Sequence, residues 1–331
     1  MAGRRTNLAL LVALGAVIGT GALAFAIGTG ANAWATLAHA VTGLAIVLLT
    51  PWKSLIVRRG LRLRRPHTTT SVLLTLFVVV ALAAGLLHSS GLASHLGSIS
   101  AMQLHVGAAL ATLPFAVWHV RTRRVRLHHT DVARRQALKA GALLGGAAVV
   151  YGGLESIARL ASLPGAERRF TGSYERGTMN PEAMPVTQWL DDRVPTFDGD
   201  RTSIEVSGRD WPIDELSRYD DRVRATLDCT GGWFAEQDWA GVWLDRLIDA
   251  GRGARSIEVV SATGYSRSFP IEDASKLLLA TRVAGDALSP GHGFPARIVA
   301  PGRRGFWWVK WVTRIEITDR PWWLQLPFPP T

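Results

Sequence analysis

Five apolar runs, at about 7–28, 33–57, 71–93, 99–120 and 137–154, fill the first half of this 331-residue chain. Each is close to the ~20 residues a helix needs to cross the hydrocarbon of a bilayer. In hydrocarbon every backbone N–H and C=O must be satisfied within the segment, so runs of this length are committed to helix. They predict an N-terminal all-α membrane bundle of about five spans, with four helices in 1–132 and a fifth in 133–160. Charge divides at the same place. Residues 1–164 carry 16 Lys/Arg against 2 Asp/Glu, and residues 165–331 carry 21 against 24. The net charge of +11 therefore belongs to the apolar half. The remainder shows no basic stripe interleaved with aromatics, which argues against a nucleic-acid partner.

The loops set a direction. Arg58, Arg59, Arg62, Arg64 and Arg65 lie between the second and third runs. Arg121, Arg123, Arg124, Arg126, Arg134 and Arg135 lie between the fourth and fifth. The segments near 29–33 and 94–98 hold no Lys or Arg. The positive-inside rule then makes the chain a multi-pass protein of the cytoplasmic membrane. Its N-terminus is cytoplasmic and residues 165–331 lie outside. The fifth run starts Arg134-Arg135-Gln136-Ala137-Leu138-Lys139, which resembles a twin-arginine export signal with Ala137 where Phe is usual. The alternative is an ordinary positive-inside anchor, which needs arginines but not that order, and the export reading is preferred. Both readings put the C-terminal part outside.

Ionisable residues inside spans are costly and point to function. His39 and His105 lie at similar depths in the second and fourth runs. His119 follows His105 on nearly the same helix face, ~21 Å further along the axis. A faint repeat relates His39…Trp52-Lys53 to His105…Trp118-His119, so Lys53 stands where His119 stands in the second copy. His39 and His105 together predict the axial pair of a haem near the outer face. At the inner end His119 lacks a symmetric partner, and only His67 is placed to replace it. The expectation is haem b, one or two, in a small cytochrome-b-like bundle. Taken singly, His67, His88 and His119 are equally well read as interfacial histidines near helix ends.

The second half reads as an α+β domain. Strand-like runs fall at 203–206, 257–260, 297–300, 307–312 and 314–317, and helical patterns at 239–250 and 271–283. Cys229 is the lone cysteine, so no intramolecular disulfide exists. A lone thiol is ordinarily a small buried hydrophobe.

Four ordered segments contradict that ordinary reading. They are Leu227-Asp228-Cys229 followed by Trp239-Ala240-Gly241-Val242, then Thr263-Gly264-Tyr265-Ser266-Arg267-Ser268-Phe269-Pro270. Gly291-His292-Gly293-Phe294-Pro295-Ala296-Arg297 with Ala300-Pro301-Gly302…Val309-Lys310-Trp311 is the third, and Pro185-Val186-Thr187 to Asp192…Pro195, upstream of the others, is the fourth. Together, over about 165–331 of a domain placed at 161–331, they resemble the sulfite oxidase family of molybdopterin-dependent oxidoreductases, which includes periplasmic methionine sulfoxide reductase catalytic subunits. The resemblance implies Mo-molybdopterin as cofactor and Cys229 as the protein ligand to molybdenum. It assigns His292, Arg297 and Lys310 to the pterin and its phosphate, with Ser173 and Tyr174 as a further pterin loop. It makes Tyr265 a catalytic hydroxyl on the substrate side. A soft thiolate suits a high-valent metal held by a dithiolene, and a terminal phosphate calls for cationic donors.

One departure bears on substrate. After the cysteine, sulfite oxidases carry arginines that bind an anion. Here the segment reads Thr230-Gly231-Gly232-Trp233-Phe234-Ala235-Glu236. The expected activity is two-electron oxo transfer outside the membrane, reducing an S- or N-oxide on a small molecule or a peptide. Electrons would be exchanged through haem with a quinone or another membrane carrier. Sulfite oxidation is the enzymatic alternative. A membrane-anchored binding or assembly protein without catalysis is the alternative of another class. Oligomeric state is left open.

Overall fold

The computed structural model describes residues 2–30, 33–62, 68–93, 95–97, 99–123, 128, 131, 134–188, 192–197, 202–251 and 253–326. The chain divides into two compact units. One is Met1–Phe25 with Gly30–Gly172, and the other is Ser173–Thr331 with Ala26–Thr29.

The first unit holds α1 (Ala2–Ala26), α2 (Ala33–Arg62), α3 (Thr68–Ser90), α4 (Ala101–Thr122) and α5 (Arg134–Leu160). All five are long and apolar enough to cross a membrane, which is compatible with membrane anchoring. The fifth helix runs well beyond the apolar run at 137–154. A short hairpin, β1 (His95–Leu96) and β2 (Ile99–Ser100), leads into α4. Ser100 and Gln103 form a reciprocal capping box there, with bonds of 3.0 and 2.8 Å, and so satisfy two orphan N–H groups at the helix start. Hydroxyls inside the helices turn back to their own backbone, as Thr112 Oγ1 does to the Ala108 carbonyl at 2.8 Å. That removes a polar group from apolar surroundings.

The hydrogen bonds between helices repeat. In α1 and α2, His39 Nδ1 meets the Val17 carbonyl at 2.9 Å and Lys53 Nζ donates to Asn7 Oδ1 at 3.0 Å. In α3 and α4, His105 Nδ1 meets the Ala81 carbonyl at 2.7 Å and His119 Nδ1 meets Ser71 Oγ at 3.1 Å. The faint sequence repeat thus recurs in the hydrogen bonds that join α1 to α2 and α3 to α4. Helix α5 packs on α2 through Leu44, Ala45 and Ala147, with Val41, Leu48, Leu143 and Tyr151 around them.

The second unit contains two mixed sheets. The first comprises β3 (Tyr174–Glu175), β6 (Asp221–Cys229), β7 (Trp233–Trp243), β10 (Leu278–Val283), β11 (Asp286–Ala287) and β12 (Arg297–Val299). The second runs β5 (Arg209–Pro212), β4 (Ser203–Val206), β13 (Val312–Thr318), β8 (Ser256–Ser261) and β9 (Ser266–Pro270). Pairings β3–β7 and β4–β13 are parallel, and the others are antiparallel. A short α6 (Ile213–Leu216) follows β5.

An all-helical half followed by an α+β domain is as expected, but three elements differ. The patterns at 239–250 and 271–283 are not helices. Residues 233–243 and 278–283 are central strands, and 271–276 is a 3-10 turn. Both strands end buried on two faces, where apolar residues run continuously and periodicity no longer separates strand from helix. The run at 307–312 is not one strand either. A 3-10 turn covers Gly305–Trp307, and Trp311 adopts a left-handed φ of 54° that breaks the chain before β13.

Candidate functional site

A cleft in the second unit gathers residues from four separate parts of the chain. Cys229, Trp233, Tyr265, His292, Arg297, Trp308 and Lys310 line it, with Thr187, Thr230 and Asp192. Cys229 ends β6, at a tight turn into β7. Its Sγ lies 3.3 Å from the Gly231 amide, which donates to it, and 3.4 Å from Thr187 Oγ1. The Gly231 amide thus donates to the sulfur, while between Sγ and Thr187 Oγ1 either atom can be the donor.

Two cations, Arg297 buried and Lys310 half-buried, stand beside this sulfur. Arg297, on β12, donates to the carbonyls of His292 at 3.1 Å and Trp308 at 3.4 Å, and packs against the rings of Trp239 and Trp308. Burial pushes its pKa down to about 9, against the opposing pull of the Cys229 sulfur. Lys310 Nζ donates to the carbonyls of Thr187 at 2.7 Å and Gly291 at 3.0 Å. Burial, reinforced by Arg297, holds its pKa down at about 7. Among the described residues neither cation is in an ion pair, and Arg297 Nε is buried with no hydrogen-bond partner. Buried unpaired cations are unfavourable unless an anion arrives. Gly293 holds the two close together. It sits at φ 114°, and a Cβ there would lie 3.0 Å from Arg297 Cβ and 3.3 Å from Lys310 Cγ.

His292 is neutral in this setting, because burial lowers its pKa. Its Nε2 faces the Met184 carbonyl at 3.2 Å, an acceptor only, so Nε2 carries the proton and Nδ1 accepts from Ser289 Oγ at 2.8 Å. Tyr265 is buried in the cleft wall, and its hydroxyl donates to the Phe306 carbonyl. Burial raises its pKa, so the phenol stays protonated. Ser173 and Tyr174 are not among the residues lining this cleft. Ser173 Oγ donates to Asp228 Oδ1 at 2.7 Å, and Tyr174 pairs along β7 opposite Trp233. Ser173 thus joins the cysteine strand, and Tyr174 joins its neighbour β7.

Two features escape the sequence. Arg304 and Asp228 form a fully buried ion pair at 2.7 Å, and Arg304 also reaches the Cys229 carbonyl at 3.4 Å. Asp228 precedes Cys229, but nothing local announces a partner 76 residues away. Trp233 is the second. The two glycines after Thr230 are the available signal, since a hairpin there places residues 229 and 233 opposite each other.

In the first unit, His39 and His105 face each other with ring centroids 5.7 Å apart and planes at 87°. Each Nδ1 meets a backbone carbonyl, so each donates from Nδ1 and keeps an Nε2 lone pair. Gly21 and Gly85 back the two rings, where a Cβ would come within 2.9 Å of an imidazole. His119 bonds Ser71 and lies within electrostatic range of Lys53. His67 lies outside the described residues.

The lysine makes a testable prediction. The unfolded chain holds the Lys310 proton up to its ordinary 10.5, the folded chain only to about 7. Between these values the unfolded state binds more protons, so stability rises with pH. In protein prepared without cofactor the thermal midpoint is expected to rise between about pH 7 and 9, and Lys310→Met to flatten that rise. An identical slope in the variant would exclude Lys310 as its source.

Residues 192–323 match the profile of the oxidoreductase molybdopterin binding domain family. The mitochondrial sulfite oxidase of Rattus norvegicus is 28% identical over 165 residues, 38% of this chain and 30% of that protein. Nitrate reductase [NADH] 1 of Nicotiana tabacum is 38% identical over 174 residues, 45% of this chain and 19% of that protein. The sulfane dehydrogenase SoxCD of Paracoccus pantotrophus aligns with a TM-score of 0.36 and 25% identity, covering 38% of this chain and 40% of that one. The chain spans less than a third of the length of these two curated relatives.

Proposed function

We propose, from the premise that residues 192–323 are a molybdopterin-binding oxidoreductase domain, that the chain is a membrane-anchored reductase of S- or N-oxides. The observation that carries the reading is the meeting in one cleft of a thiol that receives a backbone N–H with a buried arginine and a half-buried lysine, neither in an ion pair among the described residues. An anionic pterin phosphate and a metal-dithiolene group match that donor set. When bound, the group supplies two-electron oxo-transfer chemistry. Cys229 would be the thiolate ligand, and Arg297 and Lys310 would neutralise the anion. His292 would donate from Nε2–H on exchanging the Met184 carbonyl for the pterin. Tyr265, held by Phe306, would wall the substrate side. Ser173 and Tyr174 would act through the cysteine strand rather than on the pterin directly.

Reduction of an oxide takes two electrons and two protons and releases water. We assign the electrons to haem b in the first unit and ultimately to a quinone or another membrane carrier. Ligating histidines commonly donate the far ring N–H to a carbonyl, which supports His39 and His105 as the axial pair. One haem is the base expectation. His119, with Lys53 in its repeat position, would mark a second at most. The arginine-rich loops support a cytoplasmic N-terminus and an extracytoplasmic catalytic domain. The Arg134-Arg135 start of α5 suits twin-arginine export of a domain already loaded with cofactor.

Metal analysis and dithionite-reduced spectra of the purified full-length protein test this directly. Molybdenum and a b-type band are expected, and absence of both would end the proposal. His39→Leu and His105→Leu are each expected to remove the b-type band while molybdenum content stays level. A band that survives both would move the haem elsewhere. Sulfite oxidation is the second reading, favoured by the similarity to a sulfite oxidase.

A further inference from the structure

Trp233 is a buried donor that the roles above do not use. Its side chain is 7% exposed, and its Nε1–H has no hydrogen-bond partner. Proteins rarely leave a buried donor unpaired, so one that persists at a cleft marks a place where an acceptor arrives. Its position is set by the hairpin. Cys229 and Trp233 are register partners of β6 and β7, and directly opposed residues of an antiparallel pair project to the same face. A methyl group added to Gly231 would lie 3.5 Å from Cys229 Sγ and 3.9 Å from Trp233 Nε1. The thiol and the indole nitrogen therefore flank one small space, and both line the cleft.

The hairpin itself brings no charged side chain to that space. The turn between the strands is Thr230-Gly231-Gly232, so Thr230 is its one side chain beyond hydrogen. The nearby cations Arg297 and Lys310 direct their hydrogen bonds to backbone carbonyls. An indole N–H donates strongly but brings no charge. It serves an uncharged oxygen acceptor well, and leaves an anion without the counter-charge its desolvation requires.

We propose that Trp233 is the specificity-determining donor of this site, binding the oxygen of a net-neutral S- or N-oxide beside Cys229. The inference rests on the reductive reading above and narrows its substrate class. The test uses the full-length, molybdenum-loaded enzyme with dimethyl sulfoxide as the neutral probe and sulfite as the anionic one. Trp233→Phe keeps the ring and removes the N–H. It is expected to raise KM and the calorimetric Kd for dimethyl sulfoxide roughly five- to tenfold, with molybdenum content and haem spectrum unchanged. If wild type reduces the sulfoxide and the variant keeps its KM and Kd, Trp233 is overturned and the reductive reading stands. A loss confined to kcat and to the molybdenum electron-spin signal would assign the donor to the cofactor, and so also overturn the proposal. Wild type that oxidises sulfite and reduces no sulfoxide would overturn the reductive reading and this inference together. Thr230→Arg guards against a Phe variant that fails to load. It adds the missing charge and is expected to tighten sulfite binding about tenfold or more. Unchanged sulfite binding in that variant would refute the argument from neutrality.

Discussion

Replacing Cys229 by serine is expected to lower oxide reduction by the full-length enzyme more than ~100-fold, beyond the 10–100-fold typical of losing an outer-shell partner of a metal ligand. The reason is chemical rather than steric. A thiolate is soft and readily ionised, and here it receives the Gly231 amide and faces Thr187 Oγ1. A serine hydroxyl in the same place is a hard ligand that stays protonated at neutral pH. The serine side chain is slightly smaller, so β6 and its turn remain intact and the haem spectrum should not change. Steady-state turnover normalised to molybdenum content measures the effect. Activity within tenfold of wild type would remove Cys229 from the chemistry.

Asp228→Ala is expected to have the largest effect on stability. It removes the carboxylate from a buried ion pair whose two side chains are each 3% exposed. Breaking a buried pair from one side costs about 3–5 kcal/mol. For a domain of this size that is a fall of roughly 6–20 °C in thermal midpoint. The change should reach the site as well, because Arg304 also holds the Cys229 carbonyl and Asp228 accepts from Ser173. Two comparisons isolate the cause. Joint replacement by Asp228→Leu and Arg304→Met removes both charges and should recover much of the loss. Ala at both members of the exposed Arg224–Asp238 pair should leave the midpoint essentially unchanged. A single Asp228→Ala variant as stable as wild type would mean that the pair contributes nothing to holding the cysteine strand.

Most of the cleft residues proposed to carry chemistry are legible in the sequence. Cys229, His292, Arg297 and Lys310 sit in short segments whose residue order is itself distinctive. The fold brings all four to one cleft. Tyr265 joins them through its own segment. Ser173 and Tyr174 are harder to judge, because their contact with the site is indirect and runs through Asp228 and β7. The strands over Trp239–Trp243 and Leu278–Val283 resemble helix in the sequence for a physical reason. Where a strand is covered on both faces, alternation disappears and the apolar run looks like part of a helix.

What the sequence determined alone was local. Five runs of helix-spanning length, their arginine-rich loops and the spacing of His39 and His105 follow from composition along one segment at a time. The tertiary structure alone decided which distant groups meet. It set Trp233 across the hairpin from Cys229 and paired Asp228 with Arg304. It also turned the Arg297 and Lys310 donors to backbone carbonyls rather than into ion pairs among the described residues. Those relations depend on register and burial, which arise when sheets pack, and no single segment of the chain encodes them.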